Sequence, residues 1–237
     1  MSDSNYRPLP ELIPSEIIER YSSLSTAQLC DGMEGLGILR NGAMDAAVLP
    51  VDPSMRMIGT ACTVETEEGD NFPIHVAIYQ SKPGYVLVVD GKAYTERAYM
   101  GDLMVSASKA IGLEGVVVDG NVRDREGIRE IGLPVFSRGF MQRSPSKKGP
   151  GKINCTVNCG GVIVKPGDLV FGDYDGITVV PRENILEVLE RAEKKGLYEE
   201  NRRKTIETYA KCRENGEPLP VIAPAWVSEM LEKVTKE

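Results

Sequence analysis

Between residues 101 and 139 the chain runs through the same local order twice, and this constrains its fold more than any other feature. Gly101-Asp102 opens a segment rich in Ser, Ala, Leu and Met that stops at Gly112, which predicts a helix closed by a glycine. Residues 115–119 (GVVVD) follow as a short apolar run suited to a buried strand. Gly120-Asn121 turns the chain, and Arg123-Asp124 stand where the next helix should begin. Gly132 ends that helix, and residues 133–136 read as another strand. Upstream, residues 56–66 read as a strand, Asn71 as the cap of a helix reaching Gln80, and residues 84–90 (GYVLVVD) as a strong buried strand. A polar turn at Asp90-Gly91-Lys92 and a loop to Met100 then feed the Gly101-Asp102 start. Repetition of strand, loop and helix predicts βαβ units with parallel, adjacent strands.

The polar residues at these helix starts are the first candidates for chemistry. If the strand between them is buried, the starts at Asp102 and Asp124 meet on one rim of a sheet. Unpaired N–H groups at a helix N-terminus favour anions. Arg123 can hold a carboxylate in a two-bonded fork, and Asp124 is a hard oxygen ligand suited to magnesium or manganese. Free amides at Leu103 and Met104 would take a second anionic group. Such an inventory suits an enolate stabilised beside a carboxylate. The residues alone leave a plainer reading open, in which Asp102 and Asp124 cap helices and Arg123 is a surface ion-pair partner.

Gly-Asp-Leu-Met (residues 101–104), Gly-Val-Val-Val-Asp-Gly-Asn-Val-Arg-Asp (115–124) and Gly-Leu-Pro-Val-Phe-Ser-Arg-Gly (132–139) together resemble the family of 4-hydroxy-4-methyl-2-oxoglutarate aldolases. That family also holds oxaloacetate decarboxylases and regulators of ribonuclease E activity. The resemblance runs from about Ser25 to Arg182, and Gly-x-Val-Arg-Asp with its upstream Gly-Asp helix start is the specific part. It implies an α/β fold: the layered β/β/α swivelling architecture, similar to phosphohistidine domains, with a mixed sheet and a C-terminal helical extension. The chain then divides into an N-terminal arm and helix (1–24), a single aldolase-like domain (25–182) and a helical extension (183–237) packed on a neighbouring subunit.

The activity implied is a divalent-metal-dependent lyase that cleaves a 4-hydroxy-2-oxo acid to pyruvate, with oxaloacetate decarboxylation on the same site. Both reactions pass through a metal-stabilised pyruvate enolate. Carried over, Asp124 binds magnesium or manganese directly and Asp102 binds it through water. Arg123 faces the forming enolate, while Gly101, Asp102 and the Leu103 and Met104 amides line the substrate. A glutamate from the C-terminal helix of a neighbour, Glu199 or Glu200, completes the metal site in a homotrimer or hexamer; Glu207, two turns beyond Glu199, points the same way. The competing reading is a non-catalytic regulator of the ribonuclease E type. Those relatives lack the acidic residue after the arginine, whereas here Asp124 follows Arg123.

Composition narrows the remaining classes. A net charge of −7 without a basic stripe argues against nucleic acid, and no apolar run approaches the ~20 residues that span a bilayer. The first ten residues lack a signal-peptide pattern, and five cysteines without scaffold density suit a reduced cytoplasm. Cys155 and Cys159 lack a second pair and a histidine for zinc, and read as strand or turn residues. The single histidine, His75, has nothing evident to orient it and reads as a packing residue. A lysine Schiff base would need a desolvated lysine, and Lys92 in a polar turn and Lys109 on a helix fit poorly.

Residues 1–14 read as a loose arm, with short helices starting at Ser15 and after Ser25. Asp31, at the end of the second, borders the active-site region in the resembled family. Residues 141–152 (MQRSPSKKGPGK) read as a solvated basic loop beside an anion pocket, and 154–181 as antiparallel strands. Residues 183–215 form a charged helix broken at Gly196, and Pro224 starts a last helix whose Trp226, Val227, Met230 and Leu231 make an apolar stripe.

Overall fold

The computed structural model describes residues 5–235. Strands β1 (Leu49–Pro50), β2 (Met57–Thr66), β3 (Tyr85–Ala98), β4 (Gly115–Val122), β5 (Val135–Phe140), β6 (Gly151–Ile153), β9 (Leu169–Asp173) and β10 (Gly176–Val180) form one mixed eight-stranded sheet, in the order β1-β5-β4-β3-β2-β9-β10 with β6 also on β2. β2, β3, β4 and β5 are parallel neighbours, as the repeating order predicts, and β1, β6, β9 and β10 add antiparallel pairs. Three helices cross between the parallel strands: α3 (Phe72–Gln80), α4 (Asp102–Ile111) and α5 (Arg125–Ile131).

Both faces of the parallel strands are covered, which is why they read as unbroken valine runs. Leu87, Val89, Val116 and Val118 pack with Ile74 and Ile78 of α3, Val105 of α4 and Ile128 of α5. The alternate residues Val86, Val88 and Val117 meet Val157, Val162 and Val164 from a separate hairpin, β7 (Val157–Cys159) and β8 (Val162–Val164). Hairpin, sheet and helices are therefore three layers, the β/β/α arrangement that the family resemblance implies. Each such aliphatic side chain, fully buried, stabilises the fold by roughly 1.5–3 kcal/mol. Asp119 pins the layers together: its buried carboxylate accepts from Arg138 Nε at 2.5 Å and from the Gly160 amide at 2.8 Å.

A third cluster joins α1 (Ser15–Ser22), α2 (Thr26–Gly32) and the first turns of α6 (Ile185–Asn215) to Leu169, Phe171 and Val180. Ser25 and Gln28 form the reciprocal capping box that starts α2. The chain through Ala192 is one compact unit, and the chain from Glu193 is a second. Within the second unit, α7 (Ala225–Val234) follows Pro224 as expected, and Arg202 Nη2 donates to the Ile222 carbonyl at 2.7 Å.

The structure corrects several local expectations. Residues 5–14 are not a loose arm. The Arg7 amide donates to Ile153 O at 3.1 Å, Ile13 N to Thr60 Oγ1 at 3.0 Å, and Tyr85 Oη to Pro10 O. An extended, proline-rich segment leaves its carbonyls unpaired, and neighbouring donors take them. α6 runs unbroken through Gly196, because one helical glycine costs only about 1 kcal/mol against alanine and no proline follows it. β3 continues past Asp90 to Ala98, with irregular register against β4, so the expected loop to Met100 is mostly strand. Trp226, Met230 and Leu231 are exposed. No described helix is long and apolar enough to cross a membrane.

Candidate active site

Parallel strands joined by right-handed crossovers deliver the starts of the following helices to one edge of the sheet, the edge where α/β proteins bind ligands. Here β2, β3 and β4 deliver the starts of α3, α4 and α5. A pocket of about 200 Å³ lies among them, lined by Gly101, Asp102, Leu103, Met104, Arg123 and Asp124, with Asn71, His75, Pro145 and Lys147 completing its wall. Every residue that the sequence nominated around Asp102 and Asp124 is therefore in one cavity.

Asp124 sets the geometry. It precedes α5 with φ 61° and ψ 47°, a left-handed conformation that a short polar side chain tolerates better than most. Its Oδ2 lies 3.5 Å from Arg123 Nε and accepts a long contact, 3.4 Å, from the Asp102 amide. The αL backbone turns Asp124 back toward the start of α4. Gly101 is needed for this approach: a methyl group there would overlap Asp124 Oδ2 and come within 3.1 Å of Arg123 Cγ and Nε. Arg123 Nη1 donates to Ser144 Oγ at 2.8 Å. The guanidinium is thus held at two points, and Nη2 has no partner among the described residues.

The helix-start amides differ from expectation. Leu103 N–H donates to Oδ1 of the adjacent Asp102 at 2.7 Å, and Met104 N–H to the Gly101 carbonyl at 3.1 Å. Neither is unpaired, because the acidic residue at the first helical position turns its own carboxylate onto the exposed amide. A bound carboxylate would have to displace Asp102 to use the Leu103 amide.

His75 and Asn71 are site residues that sequence reasoning missed, whereas Lys147 lies on the basic loop expected beside an anion pocket. His75, expected as a packing residue, is half-buried on the pocket wall and stacked on Tyr79 at 6.3 Å between centroids. Burial, and then the nearby positive charge of Lys147, hold its imidazole below the ordinary histidine value, which favours the neutral form. Asn71 precedes α3 but does not cap it; its Nδ2 donates to Tyr99 O at 2.9 Å and its buried Oδ1 has no partner. The signal was available: β2–α3–β3 is one more βαβ unit, so the start of α3 belongs on the same edge.

The basic loop at 141–152 is not free in solvent. Buried Asp70 accepts from Ser146 Oγ at 2.7 Å, Lys148 N at 2.6 Å, Gly149 N at 3.2 Å and Phe72 N at 3.0 Å. Burial raises the Asp70 carboxyl, but these donors outweigh it and hold it below the usual aspartate value. The clamp fixes the loop on both sides of Lys147. Lys92 is exposed, 3.8 Å from Glu67, and Lys109 Nζ donates to the Ile131 carbonyl, so neither lines the pocket. Asp31 also lies outside its lining. Glu199 and Glu200 make helix-surface contacts, Glu199 with Arg203 at 3.6 Å and Glu200 with Lys204 at 2.6 Å.

A larger cavity of about 680 Å³, bounded by Asp52, Arg56, Arg129 and Glu130, holds none of the nominated residues. Its Arg129 already pairs with Asp52 at 2.8 Å.

Hard carboxylate oxygens fit magnesium or manganese, ions that bind through one or two protein carboxylates and keep waters for the remaining positions. Asp102 and Asp124 are the carboxylates lining this pocket that could hold such an ion. Among the described residues no group of three or more His, Cys, Asp or Glu side chains converges.

The chain is similar to named proteins and to solved structures. A protein of Halalkalibacterium halodurans named "Putative 4-hydroxy-4-methyl-2-oxoglutarate aldolase" is 35% identical over 191 residues, covering 81% of this chain and 89% of the relative. The solved structure of RraAS2 from Streptomyces coelicolor, described as an unusual member of the RNase ES inhibitor RraA family, superimposes with a TM-score of 0.73 at 28% identity, over 84% of this chain and 99% of the other. The structure of the RNA-processing inhibitor RraA from Thermus thermophilis gives 0.55 at 27% identity, over 59% and 84%. The family model described as RraA-like, Aldolase/RraA, matches residues 26–179, from the start of α2 to the end of the sheet. By fold and sequence, the chain belongs to the RraA-like family, described as Aldolase/RraA.

Proposed function

We propose that this protein is a divalent-metal-dependent carbon–carbon lyase that cleaves a 4-hydroxy-2-oxo acid to pyruvate and decarboxylates oxaloacetate on the same site. The observation that carries the reading is the adjacency of Arg123 and Asp124 in one pocket with Asp102. Asp124 would hold magnesium or manganese directly and Asp102 through water. When bound, the ion supplies a Lewis acid next to the keto and carboxylate oxygens of the substrate. Arg123, fixed by Ser144 and Asp124, presents its free Nη2 edge to the oxygen on which negative charge grows as the carbon–carbon bond breaks. Placing that charge beside a preset guanidinium favours the transition state over the substrate. Decarboxylation needs this half alone, whereas aldol cleavage also requires loss of the hydroxyl proton.

The reading includes a homotrimer or hexamer, in which Glu199 or Glu200 of a neighbouring copy adds a further oxygen donor beside Asp124. Lyase activity is tested by Arg123→Ala and Asp124→Ala, assayed for pyruvate release from 4-hydroxy-4-methyl-2-oxoglutarate and oxaloacetate. Each substitution should reduce turnover by about 10²-fold or more while the circular dichroism spectrum is unchanged. Near-normal turnover in either variant would overturn the assignment.

A second reading, a non-catalytic regulator, is favoured by the likeness to RraA, an RNA-processing inhibitor that shares this fold. Under it, neither acid is cleaved with or without metal.

A further inference from the structure

The last helix, α7, carries an apolar face that its own unit leaves uncovered. Trp226, Val227, Met230, Leu231 and Val234 recur at helical spacing and are exposed, Trp226 to 58% and Val234 to 66%. The segment leading into the helix does not shield them, since Leu219, Val221 and Ile222 are exposed as well. A helix of 10 residues is too short to persist in water on its own hydrogen bonds, so covering that face has to supply its stability. α7 also lies outside residues 26–179, the part matched by the family model.

The charges beside the stripe say what covers it. At about 100° per residue, Glu229 and Lys233 flank it on one side and Ser228 and Thr235 on the other. Two copies of such a helix can meet antiparallel or parallel. Antiparallel packing about a two-fold axis brings identical flanks together, so Glu229 of each helix faces Lys233 of the other and two ion pairs close at once. Parallel packing sets the charged flank against Ser228 and Thr235 and closes none. An anionic membrane is a poor match, because helices that lie on one carry lysines and arginines on the polar face, and here Glu229 and Glu232 stand with Lys233.

We propose that α7 is a self-docking helix, packing antiparallel on α7 of a second copy with the apolar stripes in contact and Glu229 and Lys233 paired across them. A two-fold contact at the end of every chain doubles whatever assembly the chains otherwise form, and it joins two of the proposed trimers into a hexamer. Three such contacts act together, so each one can be weak. The contact requires no catalysis and is independent of the lyase reading.

Sedimentation of the full-length chain over a concentration series at low ionic strength tests this. The wild type should run as six copies at micromolar concentration, and the variant combining Met230→Ser with Leu231→Ser as three. Glu229→Lys and Lys233→Glu each set like charges opposite one another twice per contact. Each should raise the concentration at which the doubled species half-dissociates by about tenfold or more. An equimolar mixture of these two variants should recover the wild-type value, because each chain then meets opposite charges on the other. Pairing of Glu229 with Lys233 inside one helix cannot produce that recovery. A mixture that fails to recover would overturn the proposal. So would a wild type with the same number of copies as the serine variant, which would leave the stripe to a foreign protein or a lipid surface. Two copies falling to one, with recovery on mixing, would keep the α7 contact and remove the trimer.

Discussion

At Asp124 one residue carries two separable loads, a carboxylate that could hold a metal and a backbone in the left-handed region. Left-handed geometry costs an ordinary L-residue roughly 1–2 kcal/mol, and glycine almost nothing. Asp124→Gly should therefore melt about 2–4 °C above Asp124→Ala, as roughly 1 kcal/mol does in a chain of this size, while both lack activity. Asp124→Asn keeps the tolerance for this geometry and removes the charge, so it should melt like the wild type and also be inactive. Differential scanning fluorimetry with the pyruvate assay checks all three variants. Equal melting of the Gly and Ala forms would show that the backbone at Asp124 is not strained. The acidic residue after Arg123 was legible in the sequence. That Asp102 would satisfy the Leu103 amide itself was not, since a one-residue turn of a side chain leaves no periodic trace.

Among the elements, the helix starts and stops were largely readable because single residues mark them. Gly112 closes α4 at φ 94°, and Ser25 and Pro224 begin α2 and α7 where expected. The valine runs marked the buried strands, whereas the three-layer core was expected only from the family resemblance, because an apolar run does not say what covers it. The order of the loop at 141–152 was not legible, because it comes from a partner distant in sequence: Asp70 reaches Gly149 across 79 positions. Composition describes a segment's own preferences and says nothing of such a clamp. The clamp has a pH signature. With its carboxyl held below the unfolded value of about 3.9, Asp70 stabilises the loop fully above that value, and the contribution is lost as pH falls through the lower folded value. Amide exchange at Lys148 and Gly149, corrected for intrinsic rates, should be slow at pH 6 and rise toward pH 3. In Asp70→Asn it should be fast at both. Protection in Asp70→Asn equal to the wild type would remove Asp70 from this role.

For the whole molecule, the proposed assembly makes a direct statement about mass. Sedimentation should show three or six copies of the 25.9 kDa chain, and Glu199→Ala with Glu200→Ala should weaken magnesium binding without changing that number. A monomer at micromolar concentration would contradict a metal site shared between copies. The central claim, that Asp124 and Arg123 hold a metal and a pyruvyl group together, is met most directly by one assay. Pyruvate release from 4-hydroxy-4-methyl-2-oxoglutarate is followed with magnesium, after a chelator, and after magnesium is restored, in wild type and Asp124→Asn side by side. The account predicts activity that disappears and returns in the wild type and is absent throughout in the variant. Turnover that ignores the chelator, or that Asp124→Asn retains, would contradict it.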